Sequence, residues 1–365
     1  MKTQRKARIC FATMDRGGIA TSTLRLTKFL VESGFEVHVF SRRVGTGSFP
    51  EGWASGANWH RVDPGDDAFV HAIETVDAAS PFDLFHGFWL TYAHPCLLVA
   101  AKGNRPVIAS IRGEDGVELQ NGRSREVLTK ASWITSVSRD SIGRAMAVAD
   151  ISGRWSFIPN SIDTDSSSHK RWQVSAGNRG VVGTVATFRP KKNIPLLIEA
   201  YSAVALGVRR KLLLVGDFAG PESPETERRV YEAIGRRSLC SEVTITGRIE
   251  HADVRRYLLS MRAFVISSDH EGLPNSILEA AAVGVPIIST AVDGIKDIAT
   301  SGVDALLVQP GKAMALADAI HRVLSDENLA RQISRGARSM ASRLKPEVEG
   351  QAYVSLYGQL VSATK

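Results

Sequence analysis

Short apolar runs recur along almost the whole chain, each separated from the next by a loop and a stretch of helical periodicity. The first is RICFAT (8–13), followed by the loop MDRGG and a segment from about Ile19 to Ser33 with Leu26, Phe29 and Leu30 at helical spacing. Gly34 stops that helix, and FEVHVF (35–40) begins the next strand. A strand, a loop, a helix and a second strand within about 33 residues make one right-handed βαβ unit. DLFHGFW (83–89), PVIASIRG (106–113), WITSVS (133–138) and SFIPN (156–160) continue the series. From Gly180 it restarts with GVVGTVAT (180–187), KLLLVGD (211–217), EVTITG (242–247), AFVISS (263–268), VPIIST (285–290) and ALLVQP (305–310). This alternation predicts an α/β protein made of two Rossmann-like, doubly wound domains.

At 365 residues the chain exceeds what a single core organises, which agrees with two domains. The expected division is an N-terminal domain over 1–165, a linker over 166–179, a C-terminal domain over 180–345, and a last helix over 346–365 packing back on the N-terminal domain. The linker falls in the polar, Ser/Gly-rich stretch NSIDTDSSSHKRWQVSAGNRG (160–180). Ligands of open α/β sheets gather at the carboxyl ends of the strands, so a cleft between two such domains is where chemistry is expected.

A net charge of +7 favours an anionic partner: phosphate-bearing substrate, nucleic acid or an acidic membrane face. The bases are dispersed as pairs, Arg42–Arg43, Arg209–Arg210, Arg228–Arg229, Arg236–Arg237 and Arg255–Arg256, which also suits ordinary solvated helix faces. Aromatics at 7%, not interleaved with clustered bases, argue against nucleic acid. No apolar run approaches the ~18 residues of a membrane span. The start, MKTQRKARICFATMDRGG, lacks the apolar segment of a secretory signal, and Cys10, Cys96 and Cys240 are widely spaced. A cytoplasmic protein, peripheral at the inner membrane face, is expected.

Two acids bracket one strand-to-helix turn in SSDHEGLPNSILEAAAVGVPIIST (267–290): Glu271 in a loop and Glu279 inside a short helix that starts near Asn275 or Ser276 and ends before Gly284. The first amides of such a helix lack intrahelical partners and carry the positive end of its dipole. Leu273 and Asn275 have N–H groups to offer an anion, whereas Pro274 has none. Read alone, Ser276 and Glu279 also fit a capping box, and Glu271 an exposed loop acid.

This stretch resembles the Glu-x7-Glu motif of retaining GT-B glycosyltransferases of the GT4 type. The segment immediately C-terminal to it, GVPIISTAVDGIKDIATSGVDALLVQPGKAMALADAI, is similar to that family's GxPV(V/I)...GG(I/V)xE(I/V)...G..G.LV.PGD...LA.AI. RGGIATSTLRLTKFLVESGFEVHVF, DLFHGFW and FIPNSIDTD extend the likeness to about residues 8–345. The resemblance implies a nucleoside-diphosphate sugar held mainly by the C-terminal domain, with Glu279 on the ribose hydroxyls and Glu271 beside the transferred sugar. Gly272, Leu273, Pro274, Asn275 and Ser276 would receive the diphosphate or sugar hydroxyls. ATFRPKKNIPLLIEA (186–200) matches the segment carrying the family's diphosphate-binding Arg and Lys. Lys192 falls on that Lys; Thr187 occupies the Arg position, with Arg189 as the nearest substitute. Arg248 and Ile249, in TGRIEHADVRRYLLSM, would line the base pocket.

In the N-terminal half, Gly17 and Gly18 let the chain approach a ligand closely, and would form a tight βα turn in any case. Arg112, in ASIRGED, stands where the family usually has a His near the reacting carbon, and an Arg there cannot shuttle a proton. His86 is a further polar contact, or a core histidine in the domain wall. DTD (163–165) has the Asp-x-Asp form of a metal site, but the resembled family has none there, so no metal is expected. No Gly-x-Gly-x-x-Gly supports a nicotinamide cofactor.

The expected function is a metal-independent, retaining glycosyl transfer from a nucleoside-diphosphate sugar to a hydroxyl acceptor, a glycan or a lipid-linked glycan, in cell-surface polysaccharide or glycolipid synthesis. Domain closure would exclude water. The rivals are a sugar-nucleotide epimerase on the same scaffold, a basic nucleic-acid-binding module, and an inactive donor-binding protein.

Overall fold

The structure is a computed structural model, and it describes residues 7–15, 17–42, 56–113, 119–164, 180–220 and 222–363. The chain divides into two compact units, Met1–Ser161 with Pro346–Lys365, and Ile162–Lys345. The expected linker, 166–179, lies outside the described residues.

The first unit has seven strands: β1 (Arg8–Met14), β2 (Glu36–Arg42), β3 (Asn58–Val62), β4 (Leu84–Phe88), β5 (Val107–Ile111), β6 (Trp133–Ser136) and β7 (Trp155–Phe157). They form one parallel sheet in the order β3-β2-β1-β4-β5-β6-β7. Helices α1 (Gly17–Glu32), α2 (Asp66–Ala79), α3 (Leu90–Ala100), α4 (Gly122–Lys130) and α5 (Arg139–Met146) follow the strands in turn. Successive side chains of a strand point to opposite faces, and both faces of this sheet are covered. Ile9 and Phe11 of β1 therefore pack with Leu26 and Leu30 of α1, whereas Cys10 and Ala12 pack with Phe69, Ile73 and Tyr92 on the opposite side. Gly87 lets α3 lie close on β4, because a Cβ there would collide with the Ala93 backbone.

The second unit is a six-stranded parallel sheet of β8 (Val181–Val185), β9 (Lys211–Val215), β10 (Val243–Ile245), β11 (Met261–Ile266), β12 (Ile287–Thr290) and β13 (Leu306–Val308). Its order is β10-β9-β8-β11-β12-β13. Helices α6 (Ile194–Ala203), α7 (Ser223–Arg236), α8 (His251–Ser260), α9 (Asn275–Val283), α10 (Asp293–Ile298), α11 (Ala313–Ser325) and α12 (Glu327–Arg343) complete it. Its core joins Val182, Leu212, Leu214, Ala263 and Val265 of the sheet to Leu197, Ile198, Leu316 and Ile320 of the helices.

The last helix, α13 (Pro346–Ala363), belongs to the first unit. It buries Tyr353, Leu356 and Tyr357 in the same cluster as Phe11 and Phe88. Two ends of the excursion meet inside the second unit, where the Ile162 N–H donates to the Leu344 carbonyl at 2.7 Å.

Candidate functional site

In the second sheet the chain runs outward from β8 through β9 to β10, then returns to β11 and runs the other way. The loops leaving β8 and β11 diverge, and this switch point, at the carboxyl ends of the strands, is where open α/β sheets form binding crevices. The β8 loop brings Arg189, Lys191 and Lys192; the β11 loop brings residues 267–274.

Hydrogen bonds lock the two loops together. The Asp269 N–H donates to the Lys191 carbonyl at 2.9 Å. The Ser267 hydroxyl donates to the Lys192 carbonyl at 2.9 Å. Asn193, held in a left-handed conformation where α6 begins, donates its side-chain amide to Asp269 Oδ1 at 2.9 Å. The Lys192 ammonium donates to Glu271 Oε1. On the far side the next loop is bound as well: Thr290 Oγ1 donates to the Ser268 carbonyl at 2.6 Å, and the Gly294 N–H to the Gly272 carbonyl at 2.9 Å.

Glu271 is at the centre of this lattice and only 5% exposed. Its carboxylate accepts from Lys192 and, at 2.7 Å, from the Ser268 hydroxyl. Burial pushes the carboxyl up, but the Lys192 charge, the hydrogen bonds from Lys192 and Ser268 and the nearby Lys191 outweigh it, leaving it below the usual range. Lys192, Glu271, Ser268, Pro274 and Ser276, with Thr184 of β8, line a recess with about 230 Å³ of empty space, part of it open solvent. Gly272, Leu273 and Asn275 lie on the same turn, and Leu273 is buried. Arg189 is exposed at the rim and makes no ion pair among the described residues; Thr187 beside it is also exposed.

Glu279 does not cap its helix. Pro274 is the cap residue, no side chain caps the amides, and Ser276 already lies inside α9. Glu279 Oε1 instead meets His251 Nε2 at 3.0 Å. His251 opens α8, three residues after Arg248, so this contact joins Glu279 to the segment of Arg248 and Ile249. Gly216 and Gly247 bridge at the ends of β9 and β10. Gly216 has φ +133, and a Cβ there would collide with the Ala186 carbonyl oxygen. Sequence reasoning missed Ser268, His251 and Asp293, none of which has a spacing that marks it.

The remaining candidates lie in the first unit. Gly17, at φ +74, and Gly18 are exposed at the head of α1. Arg112 follows β5; its guanidinium donates to Asn160 Oδ1 and, at 3.4 Å, to the Tyr353 hydroxyl, and lies 5.2 Å over the Phe88 ring. His86 takes the second of its two readings and not the first: it is a core residue, 0% exposed. Its Nδ1 meets the Tyr357 hydroxyl and its Nε2 the Ser110 hydroxyl, each at 2.7 Å, so neither nitrogen is left for a ligand. Burial, then the Arg112 charge, push the imidazole well down and keep it neutral. Among the described residues no group of three or more His, Cys, Asp or Glu is placed to hold a metal ion. Asp165 of DTD lies outside the described residues. No helix among them is long and apolar enough to cross a membrane.

Two family descriptions divide the chain between them: Glycosyltransferase Family 4 matches residues 16–166, and Glycosyl transferases group 1 matches residues 166–340. The chain belongs to the group 1, family 4-type glycosyltransferases. It is similar to a 2-deoxystreptamine N-acetyl-D-glucosaminyltransferase of Niallia circulans, with 32% identity over 42% of this chain and 38% of the relative. A lipopolysaccharide core biosynthesis glycosyltransferase of Rhizobium meliloti is 31% identical over 48% of this chain and 49% of the relative. The chain thus spans about half or less of the length of these curated relatives. Among solved structures, Anabaena HepE in complex with UDP and glucose superposes with a TM-score of 0.81 at 18% identity, over 97% of this chain and 100% of that one. At that identity the likeness establishes the fold, which is that of the GT-B glycosyltransferases.

Proposed function

We propose that this family member transfers a sugar from a nucleoside-diphosphate sugar to a hydroxyl acceptor, a glycan or lipid-linked glycan, with retention of anomeric configuration. The observation that carries the reading is the buried Glu271 paired with Lys192 in a recess at the switch point of the second sheet. On this reading the donor diphosphate lies against Arg189, Lys192 and the turn from Gly272 to Ser276. Glu279 accepts from the ribose hydroxyls, Arg248 and Ile249 flank the base, and Glu271 lies beside the transferred sugar.

The bond from the anomeric carbon to the diphosphate oxygen breaks, and the acceptor oxygen bonds that carbon from the same face. The acceptor proton passes to the departing diphosphate. Negative charge grows on the leaving group, so fixed cations stabilise the transition state more than the ground state. Lys192 exchanges Glu271 for the diphosphate as its partner, which makes donor arrival and the freeing of Glu271 one event. Lys192, Arg189 and the amides of the turn supply the compensation a divalent ion gives elsewhere, so no metal is required. Gly18 is assigned to the donor, and Gly17 and Arg112 to acceptor or sugar contact.

HepE's UDP and glucose and the lipopolysaccharide relative's name support a UDP-sugar donor and cell-surface glycan synthesis. The +7 charge supports docking on an anionic inner leaflet, tested by sedimentation with anionic liposomes at low salt. The deciding experiment is a panel of UDP-, GDP- and ADP-sugars scored by thermal shift and nucleotide release. One donor raises the melting temperature; Glu279→Ala abolishes the shift, and Glu271→Ala keeps the shift and loses turnover. A Glu271→Ala enzyme with full turnover overturns the assignment.

A further inference from the structure

Asp293 lies where β12 turns into α10, 8% exposed, with backbone φ +25. A side chain is sterically disfavoured in that region, and such strain persists only where the surroundings enforce it. The enforcing contact is direct: Asp293 Oδ2 accepts the Glu271 N–H at 3.2 Å. The Gly294 N–H to Gly272 carbonyl bond, at 2.9 Å, fixes the next peptide of the same loop. Glu271 is therefore held from two directions, its carboxylate by Lys192 and Ser268 and its backbone by Asp293.

We infer that Asp293 is a positioning residue for Glu271: its carboxylate fixes the Glu271 amide, and so the direction in which the Glu271 side chain leaves the loop. Glycine at 293 relieves the backbone but leaves that buried N–H without this acceptor. Asparagine keeps an acceptor oxygen at the same reach and tolerates positive φ better than most residues. The charge of Asp293 is thus secondary to its oxygen.

The inference rests on the glycosyl-transfer reading of Glu271, and the test separates the two. Asp293→Gly, Asp293→Asn and Glu271→Ala are compared for nucleotide release from the donor that the sugar panel identifies. The Asp293→Gly enzyme melts within a few degrees of the parent, because glycine adopts this backbone freely. Its kcat falls about tenfold while the donor KM changes less than about twofold, the pattern of a lost transition-state interaction. Hydrogen exchange at the Glu271 amide speeds up about tenfold in the same variant. Asp293→Asn restores both quantities to within about threefold of the parent. Unchanged kcat and exchange in Asp293→Gly, or an Asp293→Asn enzyme as impaired as Asp293→Gly, overturns the inference. Full turnover in Glu271→Ala, or no release from any donor, sinks the transfer reading instead, and amide exchange in Asp293→Gly still decides whether Asp293 holds Glu271.

Discussion

Lys192 and Glu271 meet where neither is well hydrated, their side chains 18% and 6% exposed. Removing one partner of such a pair leaves a buried charge, and Lys192→Met is expected to cost about 3 kcal/mol in urea unfolding at neutral pH. The pH dependence identifies the cause. In the parent, the Glu271 carboxyl lies below its unfolded value, so its contribution is full above the unfolded value and lost as pH falls through the folded one. In Lys192→Met, burial acts without the ammonium and the folded value rises above the unfolded one. The deficit then grows as pH rises above the ordinary carboxyl value, whereas a packing defect would not track pH. The Glu-x7-Glu spacing was legible in the sequence because it is a matter of residue identity. The strain at Asp293 was not, since φ is set by the loops that meet there.

At the scale of elements, punctuation carried the reading. Gly34 and Gly284, both at positive φ, stop α1 and α9 where the sequence places their ends. The strand that escaped notice, β3, reads NWHRV and buries only Val62, so no apolar run announces it. It is tied to β2 partly by two stacked imidazoles, His38 Nδ1 meeting His60 Nε2 at 3.1 Å. Glu36, the Arg8 guanidinium and Asn58 also face His38. Burial pushes both histidines down, and the Glu36 hydrogen bond only partly opposes this at His38. The unfolded chain therefore binds more protons, and stability falls as pH drops below the ordinary histidine value. His60→Phe is expected to flatten the loss of melting temperature between about pH 7 and pH 5. In the last helix, Tyr357→Phe leaves the buried His86 Nδ1 without its partner, and urea unfolding should show a loss of about 1–2 kcal/mol.

Over the whole molecule, several members of the arginine pairs in the second unit are engaged by carboxylates. Arg209 meets Glu242 at 2.7 Å, Arg228 meets Glu225 at 2.7 Å, and Arg237 meets Glu199 at 3.1 Å. Periodicity alone could not separate these from a phosphate-binding surface, because the partners are up to 38 residues away, as Arg237 and Glu199 are (237 − 199). Added donor nucleotide should slow hydrogen exchange in residues 186–196 and 267–283, while the core strands of the first unit keep their rates. Slowing confined to 7–161 would contradict a donor site in the second unit. The route of the backbone has a further meaning. Because 162–345 are enclosed by chain that returns to the first unit, and Ile162 and Leu344 are hydrogen-bonded neighbours, that unit is an insert with adjoining ends. During synthesis the insert is complete before α13 has been made, so Tyr353 and Tyr357 reach Phe11 and Phe88 only after the whole insert has been translated. With the donor site proposed for the second unit, it is also a cassette: a homologous segment spliced between Ser161 and Pro346 would bring its own sugar-nucleotide preference while the host sheet kept its closing helix.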